Sequence, residues 1–462
     1  MRKNHFRAIT LLLVAMLLLS LTACTQPGPT STSHLNDIAL SDFTIVYAED
    51  FCGYNARAAQ YIQAQIQSRT GLNLPVVKDG DGEPGTYEII VGDTSREISS
   101  RLESVPDTTQ FNILAEDTQI AMEGEYFVIA AAAYFFIHTY VPENNHNAVI
   151  PKEVTTHSPI VETPDNYIIM IGDGMGVNQT LLFEQMQSNQ EYSHGEDSFF
   201  GYYLPYAGFS RTNSLTGTTD SAAGATALAC GIKTVNYYVG QDQNHDPVQS
   251  LTELAGSLGM STAVLSTEVN TGATPAAFSA HANDRNDTAD IIASQTQLKQ
   301  QCGTIIDCGY DYYNAKGVQR ICNRVIEALN TLSEDSDGFF MMYEEAHIDK
   351  HNHKNDITSA FNAVVRFNRV IGAVMEWVFY HPNTFVVITA DHESGGLTRT
   401  DRGFVYTYDD HTDVDVPLFA YGMGGELFDG ITVENVQIPM TIAGFMGVRD
   451  FGDQSQFKPL GN

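Results

Sequence analysis

Apolar positions recur along this chain in two rhythms, and the order in which the rhythms alternate gives the first outline of the fold. Phe43 to Tyr47 is a short apolar run that predicts a strand. Tyr54 to Arg69 has helical spacing, with Ala58, Ile62 and Ile66 on one face and Gly71 as a stop. Leu74 to Val77 and Tyr87 to Val91 predict two further strands, separated by the turn Asp79-Gly80-Asp81-Gly82. Tyr126 to Val141 is the most apolar stretch of this part. It contains His138 and is too short to span a bilayer, so it predicts a buried strand and helix.

Residues Pro142 to Asn166 are rich in Pro, Asn, Thr and His, lack periodicity and mark a boundary. Beyond it, Tyr167 to Ile171, Thr262 to Leu265, Phe339 to Tyr343 and Phe385 to Thr389 are short apolar runs, and Asp356 to Phe379 is a long helical pattern. Buried strands alternating with helices predict a doubly wound, predominantly parallel α/β sheet with helices on both faces. The expected plan is a leader at 1–23, a linker at 24–41, a small α/β accessory domain at 42–150 and a large α/β domain at 160–462.

The leader is read from charge and length. Arg2, Lys3 and Arg7 precede a 13-residue apolar run, Ile9 to Leu21, followed by Leu21-Thr22-Ala23-Cys24. That run is shorter than a membrane span. Small residues before a Cys resemble the lipobox of bacterial lipoproteins, which implies lipidation of Cys24 and an extracytoplasmic, membrane-anchored protein. The whole chain has 24 Lys and Arg against 56 Asp and Glu, a formal charge of −32, and the leader holds no acidic residue. Such a balance offers no electrostatic footprint for nucleic acid and disfavours an anionic polymer as substrate. Cys52, Cys230, Cys302, Cys308 and Cys322 remain, an odd number that spells no disulfide framework. Cys302 and Cys308 are near enough in sequence for a local bridge.

Candidate chemistry clusters where the predicted strands end, which is where open α/β sheets place ligand sites. The first strand of the large domain runs into Gly172-Asp173-Gly174-Met175-Gly176. An aspartate there would repel a pyrophosphate, so Asp173 reads as a metal ligand. Thr219-Asp220-Ser221 precedes a run of small residues that predicts a helix, placing Ser221 at its N-terminus. Free N–H groups there favour a phosphate, and the hydroxyl is positioned to attack one. After Phe339 to Tyr343 comes Glu344-Glu345-Ala346-His347-Ile348-Asp349-Lys350-His351-Asn352-His353. Asp349 with His353, and His347 with His351, both have the spacing of a metal pair on one helical face, and spacing alone leaves the choice open. The fourth strand delivers Asp391-His392 at a turn, and His411 precedes another apolar run.

Taken in order, Asp173-Gly-Met-Gly, Thr219-Asp220-Ser221-Ala222-Ala223, Ala273-Thr274-Pro275-Ala276-Ala277, His281 through Arg285, Glu344 through His353, Thr389-Ala390-Asp391-His392 and His411-Thr412 resemble the alkaline phosphatase family. The resemblance covers roughly residues 160 to 430. It implies one zinc held by Asp349, His353 and His411, and a second held by Asp173, Asp391 and His392 beside Ser221. It also implies a magnesium at Asp173, Thr274 and Glu344, whose oxygen donors suit that ion. By the same resemblance Ser221 is the nucleophile, Arg285 grips the phosphate with Asp220 holding its guanidinium, and Lys350 reaches the substrate through water. The implied activity is hydrolysis of small phosphate monoesters through a phosphoserine.

One departure from the family pattern stands out. Two positions before Thr274, where an acidic residue would support the magnesium, this chain has Gly272, and Glu268 or Asn270 is the available substitute. Asn352 likewise stands at a position that is acidic in some relatives. The competing readings are a phosphodiesterase or sulfatase on the same metal frame, and a surface lipoprotein that binds without catalysis. Ser221 and Arg285 favour the monoesterase.

Overall fold

The computed structural model describes residues 33–461 apart from 83, 103–108, 142–146, 188–197 and 310–314. The leader and Cys24 lie outside the described residues. Among the described residues no helix is long and apolar enough to cross a membrane.

The first part of the chain forms a six-stranded sheet in the order Val76–Lys78, Thr44–Tyr47, Glu88–Val91, Gln119–Glu123, Phe111–Glu116 and Thr155–His157. Its first four strands are parallel and the last two run antiparallel to their neighbours. Helix Tyr54–Thr70 begins where the Asp50 carboxylate accepts the N–H groups of Tyr54 and Asn55, and ends at Gly71 in the left-handed conformation. The apolar stretch after Tyr126 is one helix, Val128–Tyr140, without the expected strand. Four consecutive alanines, Ala130 to Ala133, favour helix, and Gln119–Glu123 fills the strand position instead. Residues 34–39, expected to be linker, form the short strands His34–Leu35 and Ile38–Ala39, the first pairing with Asn147–Ala148. Strand Thr155–His157 carries this sheet past residue 150.

The second sheet has eight strands, in the order Ile305–Cys308, Ser261–Ser266, Phe339–Glu345, Asn166–Gly172, Thr384–Thr389, Val416–Tyr421, Tyr206–Arg211 and Thr432–Glu434. The first five are parallel. Val416–Tyr421 is antiparallel to both of its neighbours, so the sheet is mixed and mainly parallel. The reason lies in the connection. Between Thr389 and Val416 the chain makes only short strands and turns, and without a crossover helix the next strand must run back the other way.

The four central strands are buried along their length, and their side chains alternate between two cores. Ile168, Met170, Met341 and Ile388 face one core with helix Ile357–Phe379, while Tyr167, Ile169, Met342 and Val387 face the other with helices Ser221–Cys230 and Gln437–Phe445. Burial on both faces is why these strands read as continuous apolar runs. The first of those cores also takes in Ile62, Phe127 and Ile129 from the N-terminal part. Aromatic contacts Phe127–Phe200 and Phe127–Phe379, and an ion pair from Arg57 to Glu376 at 2.8 Å, close the junction. None of the described cysteines is in a disulfide, so the Cys302–Cys308 bridge is not formed.

Directly beneath the C-terminal edge of the second sheet lies a buried ion pair. The Arg366 guanidinium, on the long helix, donates to both oxygens of Glu345 at 2.7 and 3.2 Å. Burial alone would raise the proton affinity of Glu345, but Arg366 and His347 hold its carboxyl down at about 2. Arg366→Met leaves that carboxylate buried without its cation and is expected to cost about 3–5 kcal/mol in urea denaturation at neutral pH. The folded value lies below the ordinary 4.5, so the stabilisation is complete above that pH and is lost as pH falls through about 2. The stability gap between the two proteins should therefore narrow across that acid window. A gap independent of pH would show that Arg366 acts by packing alone.

Candidate functional site

Four strands of the second sheet end side by side, and each delivers polar groups to the same edge. Asn166–Gly172 leads to Asp173, Phe339–Glu345 ends in Glu344 and Glu345, Ser261–Ser266 leads to Thr267, and Thr384–Thr389 leads to Asp391 and His392. Short helix His347–Asn352 then brings Asp349 against the Asp173 turn. Gly174 allows this approach. It has φ +71°, and a Cβ there would lie 2.8 Å from the Asp349 Cα.

The first cluster is Asp349, His353 and His411. His353 Nδ1 lies 2.9 Å from the Asp409 carbonyl and His411 Nδ1 lies 2.8 Å from the Thr219 carbonyl. A carbonyl only accepts, so each Nδ1 carries a hydrogen and each ring, when neutral, turns its Nε2 lone pair inward. The two Nε2 atoms are 3.0 Å apart, and lie 3.3 and 3.5 Å from the same Asp349 oxygen. Two lone pairs and a carboxylate oxygen at such distances require positive charge between them. Asp349 accordingly pushes His353 up to about 9 and raises His411 against the opposing effect of burial. A divalent cation fits this donor set, and the carbonyls are the outer partners that fix ligand imidazoles.

The second cluster surrounds His392, which is fully buried. Ser394 Oγ donates to Asp349 and lies 3.3 Å from His392 Nδ1, so it accepts the Nδ1 hydrogen. The Nε2 lone pair is thereby aimed at three oxygens: Ser221 Oγ at 3.2 Å, Asp391 Oδ2 at 3.2 Å and Asp173 Oδ1 at 3.4 Å. The two carboxylate oxygens are buried with no hydrogen-bond partner. Burial, reinforced by the neighbouring carboxylates, pushes Asp391 up to about 8 and Asp173 well above the carboxylate range. Orphaned acids converging on a nitrogen lone pair are a cation's donor set. Asp349 also lies within ligand reach of Asp173 and His392, so this aspartate stands between the two clusters.

Ser221 opens helix Ser221–Cys230, and Asp220 caps it. One Asp220 oxygen accepts the Ala223 N–H at 3.0 Å, and the other accepts Arg285 Nη1 at 3.1 Å and the Tyr237 N–H at 3.2 Å. The same carboxylate thus orients both the helix that carries Ser221 and the guanidinium. The run of small residues has a packing reason, because a Cβ on Gly224 would lie 2.8 Å from the Asp391 carbonyl.

The third group contains Glu344, Thr274 and Asp173. Thr274 lies buried on helix Ala273–Ala277 beside Glu344, which burial pushes up to about 7. Ser266 Oγ donates to Glu344. Glu268 fills the space opposite Gly272, where an added Cβ would meet its Cγ at 2.1 Å, and it pairs with Lys350. Asn270 is turned away, its amide bonded to Gln295. Asn352 is a brace that donates to the Gly174 carbonyl at 3.1 Å and accepts from the Tyr406 hydroxyl at 2.7 Å. His347 faces Thr267 and Glu345, whereas His353 faces Asp349; this separates the two pairs that spacing left open.

Sequence reasoning missed Ser394 and Glu393. Glu393 accepts from Gln179, the Leu397 N–H and Thr412, pinning the loop behind His392. Ser394 had a legible signal, since it follows His392 by two in extended chain and so shares its side. Glu393 had none.

A sequence model of the alkaline phosphatase family matches residues 165–312 and 320–408. Alkaline phosphatases 4 and 3 of Bacillus subtilis are each 28% identical to the chain, over 52% and 50% of it. Those alignments cover 63% and 62% of the two relatives, so the chain spans about six-tenths of their length. The structure of the alkaline phosphatase from the Antarctic bacterium TAB5 superposes with a TM-score of 0.53 at 25% identity, covering 62% of this chain and 99% of that one. The matched segments contain Asp173, Ser221, Thr274, Arg285 and the Glu344 to His392 ligands, and they make up just over half of the sequence. The chain belongs to the alkaline phosphatase family.

Proposed function

We propose that this protein hydrolyses phosphate monoesters through a phosphoserine at Ser221, with two zinc ions and one magnesium bound at the three clusters. The observation that carries the reading is the place of the Ser221 hydroxyl, at a helix N-terminus, 3.2 Å from a His392 nitrogen that two orphaned carboxylates also face. Asp349, His353 and His411 would hold one zinc, and Asp173, Asp391 and His392 the other. Asp173, Thr274 and Glu344 would hold magnesium, an ion present at the M3 site of a TAB5 phosphatase variant. Bound there, the cations supply the positive charge that ionises a hydroxyl and offsets charge on the phosphoryl group and the departing oxygen.

The chain's own groups then do the following. Ser221 Oγ forms a bond to phosphorus as the ester P–O bond opposite breaks and the alcohol departs. Arg285, steadied at Nη1 by Asp220, turns its planar fork to two phosphoryl oxygens, a grip suited to a dianionic monoester. Water entering the vacated side attacks the phosphoserine, returning Ser221 and releasing phosphate, and two inversions give retention at phosphorus. Lys350, held by Glu268, contacts the substrate through an intervening water. Glu268 also supplies beside Glu344 the negative charge that Gly272 lacks. Cys24 carries the lipid that anchors the protein outside the cytoplasm, the six-stranded part is an accessory domain, and the large sheet is the catalytic domain.

Three outcomes are expected. With zinc and magnesium supplied at alkaline pH, an aryl phosphate monoester should be turned over far faster than the matching diester, and a chelator should abolish the rate; a diester preference would overturn the role given to Arg285, and inactivity on both would favour a binding protein. Ser221→Ala should eliminate trapped phosphoenzyme and lower kcat by orders of magnitude, and an unchanged rate would remove Ser221 as nucleophile. Glu268→Gln should weaken magnesium binding about tenfold by calorimetry while leaving zinc content unchanged.

A further inference from the structure

Arg285 is delivered to Asp220 by a loop that has little regular structure of its own, and a short backbone ladder and one histidine fix it. After helix Ala273–Ala277 the chain runs beside the segment at 237–240. Ala282 and Val239 exchange both backbone hydrogen bonds, at 2.9 and 3.1 Å, and the Arg285 N–H donates to the Tyr237 carbonyl at 2.8 Å. His281 stands at the start of this ladder. Its main-chain N–H donates to Ser294 Oγ at 3.1 Å, its Nδ1 lies 2.6 Å from the Gly240 carbonyl, and its Nε2 lies 2.8 Å from Glu253 Oε1.

Both ring partners accept only, so a neutral imidazole, with a single N–H, would leave one acceptor facing a lone pair. An imidazolium satisfies both. Glu253 is the charged group facing the ring, and its other oxygen is engaged in the capping box of helix Leu251–Ser257, so it is itself fixed. Cys302, whose thiol burial pushes up from its ordinary value, lines the same cavity of about 490 Å³. Gly240 has φ +59°, and a Cβ there would lie 2.7 Å from His281 Nδ1, so the close approach of the two loops depends on that glycine.

We propose that His281 is a positioning residue, a doubly donating clasp that ties the Arg285 loop to the 237–240 segment and to helix Leu251–Ser257, and so sets where the guanidinium meets phosphate. None of its partners belongs to the metal clusters, and it acts only through Arg285. The proposal rests on the reading of Arg285 as the phosphate grip.

The test is a double-mutant cycle read together with amide hydrogen exchange on the metal-loaded full chain. His281→Gln keeps a polar side chain but cannot donate in both directions. It is expected to raise KM for an aryl phosphate monoester about tenfold with kcat changed less than about threefold, and to add nothing in an Arg285→Ala background. In the same variant the amides of Ala282 and Arg285 should exchange at least about tenfold faster, while those of helix Ser221–Cys230 keep their protection. Glu253→Gln, which keeps the side chain and removes its charge, should shift the same quantities in the same direction, and it carries the test if His281→Gln fails to fold. Additive losses in the cycle, or unchanged exchange at Ala282 and Arg285, would overturn the clasp. If the wild-type chain turns over no monoester, the phosphatase reading fails by itself, and the exchange result and inorganic phosphate titration of the same variants still decide whether His281 fixes the loop and its anion grip.

Discussion

Four carboxylates, Asp173, Asp349, Asp391 and Glu344, share one buried edge of the large sheet, where Asp349 and Glu344 raise the cost of ionising both Asp173 and Asp391. That mutual repulsion is the constraint around which the rest is arranged. Hydrophobic burial of the four strands forces these groups together, and three imidazoles with inward lone pairs complete their surroundings. The carbonyls of Asp409 and Thr219 and the hydroxyl of Ser394 fix which nitrogen carries the proton. A site of this kind is incomplete as a neutral assembly of protein atoms; its geometry is that of a container for positive charge.

Asp349 and Asp220 each serve two neighbouring functions. Asp349 lies between the two histidine clusters and receives the Ser394 hydroxyl, so the position of one set of ligands constrains the other. Asp220 caps the serine helix and accepts from Arg285, so one carboxylate fixes the positions of both Ser221 and the guanidinium. Such sharing makes individual residue contributions non-additive, because removing one carboxylate disturbs groups on both sides.

The sequence was legible where one physical cause acts alone. Strands buried on both faces leave uninterrupted apolar runs, and the central strands beginning near Tyr167, Thr262, Phe339 and Phe385 were found for that reason. The direction of Val416–Tyr421 was not, because it depends on the connection rather than on the strand, and Tyr206–Arg211, with buried and exposed positions alternating, left too faint a run. The ligands lying at strand ends were readable as types and spacings. The choice of Asp349 with His353 over His347 with His351 needed the third dimension, because His347 is engaged by Thr267 and Glu345 from other strands. Glu268 was one of two candidates for the gap at Gly272, and only packing distinguishes it from Asn270.

The spread of these ligands along the chain has a consequence for how the protein comes into being. From Asp173 to His411 the donors are contributed by separate strands and loops, so a growing chain cannot assemble the histidine and aspartate cluster until His411 has been made. Before that point the acidic edge can form without its full complement of nitrogen donors, at a high electrostatic cost. Metal capture at the proposed sites would therefore be a late event, coupled to closure of long loops, and would make folding sensitive to the free ion concentration. With cations bound as proposed, the same arrangement would tie the ends of three strands, Asn166–Gly172, Phe339–Glu345 and Thr384–Thr389, so that escape from the native state would require the ions to leave as the sheet edge opens.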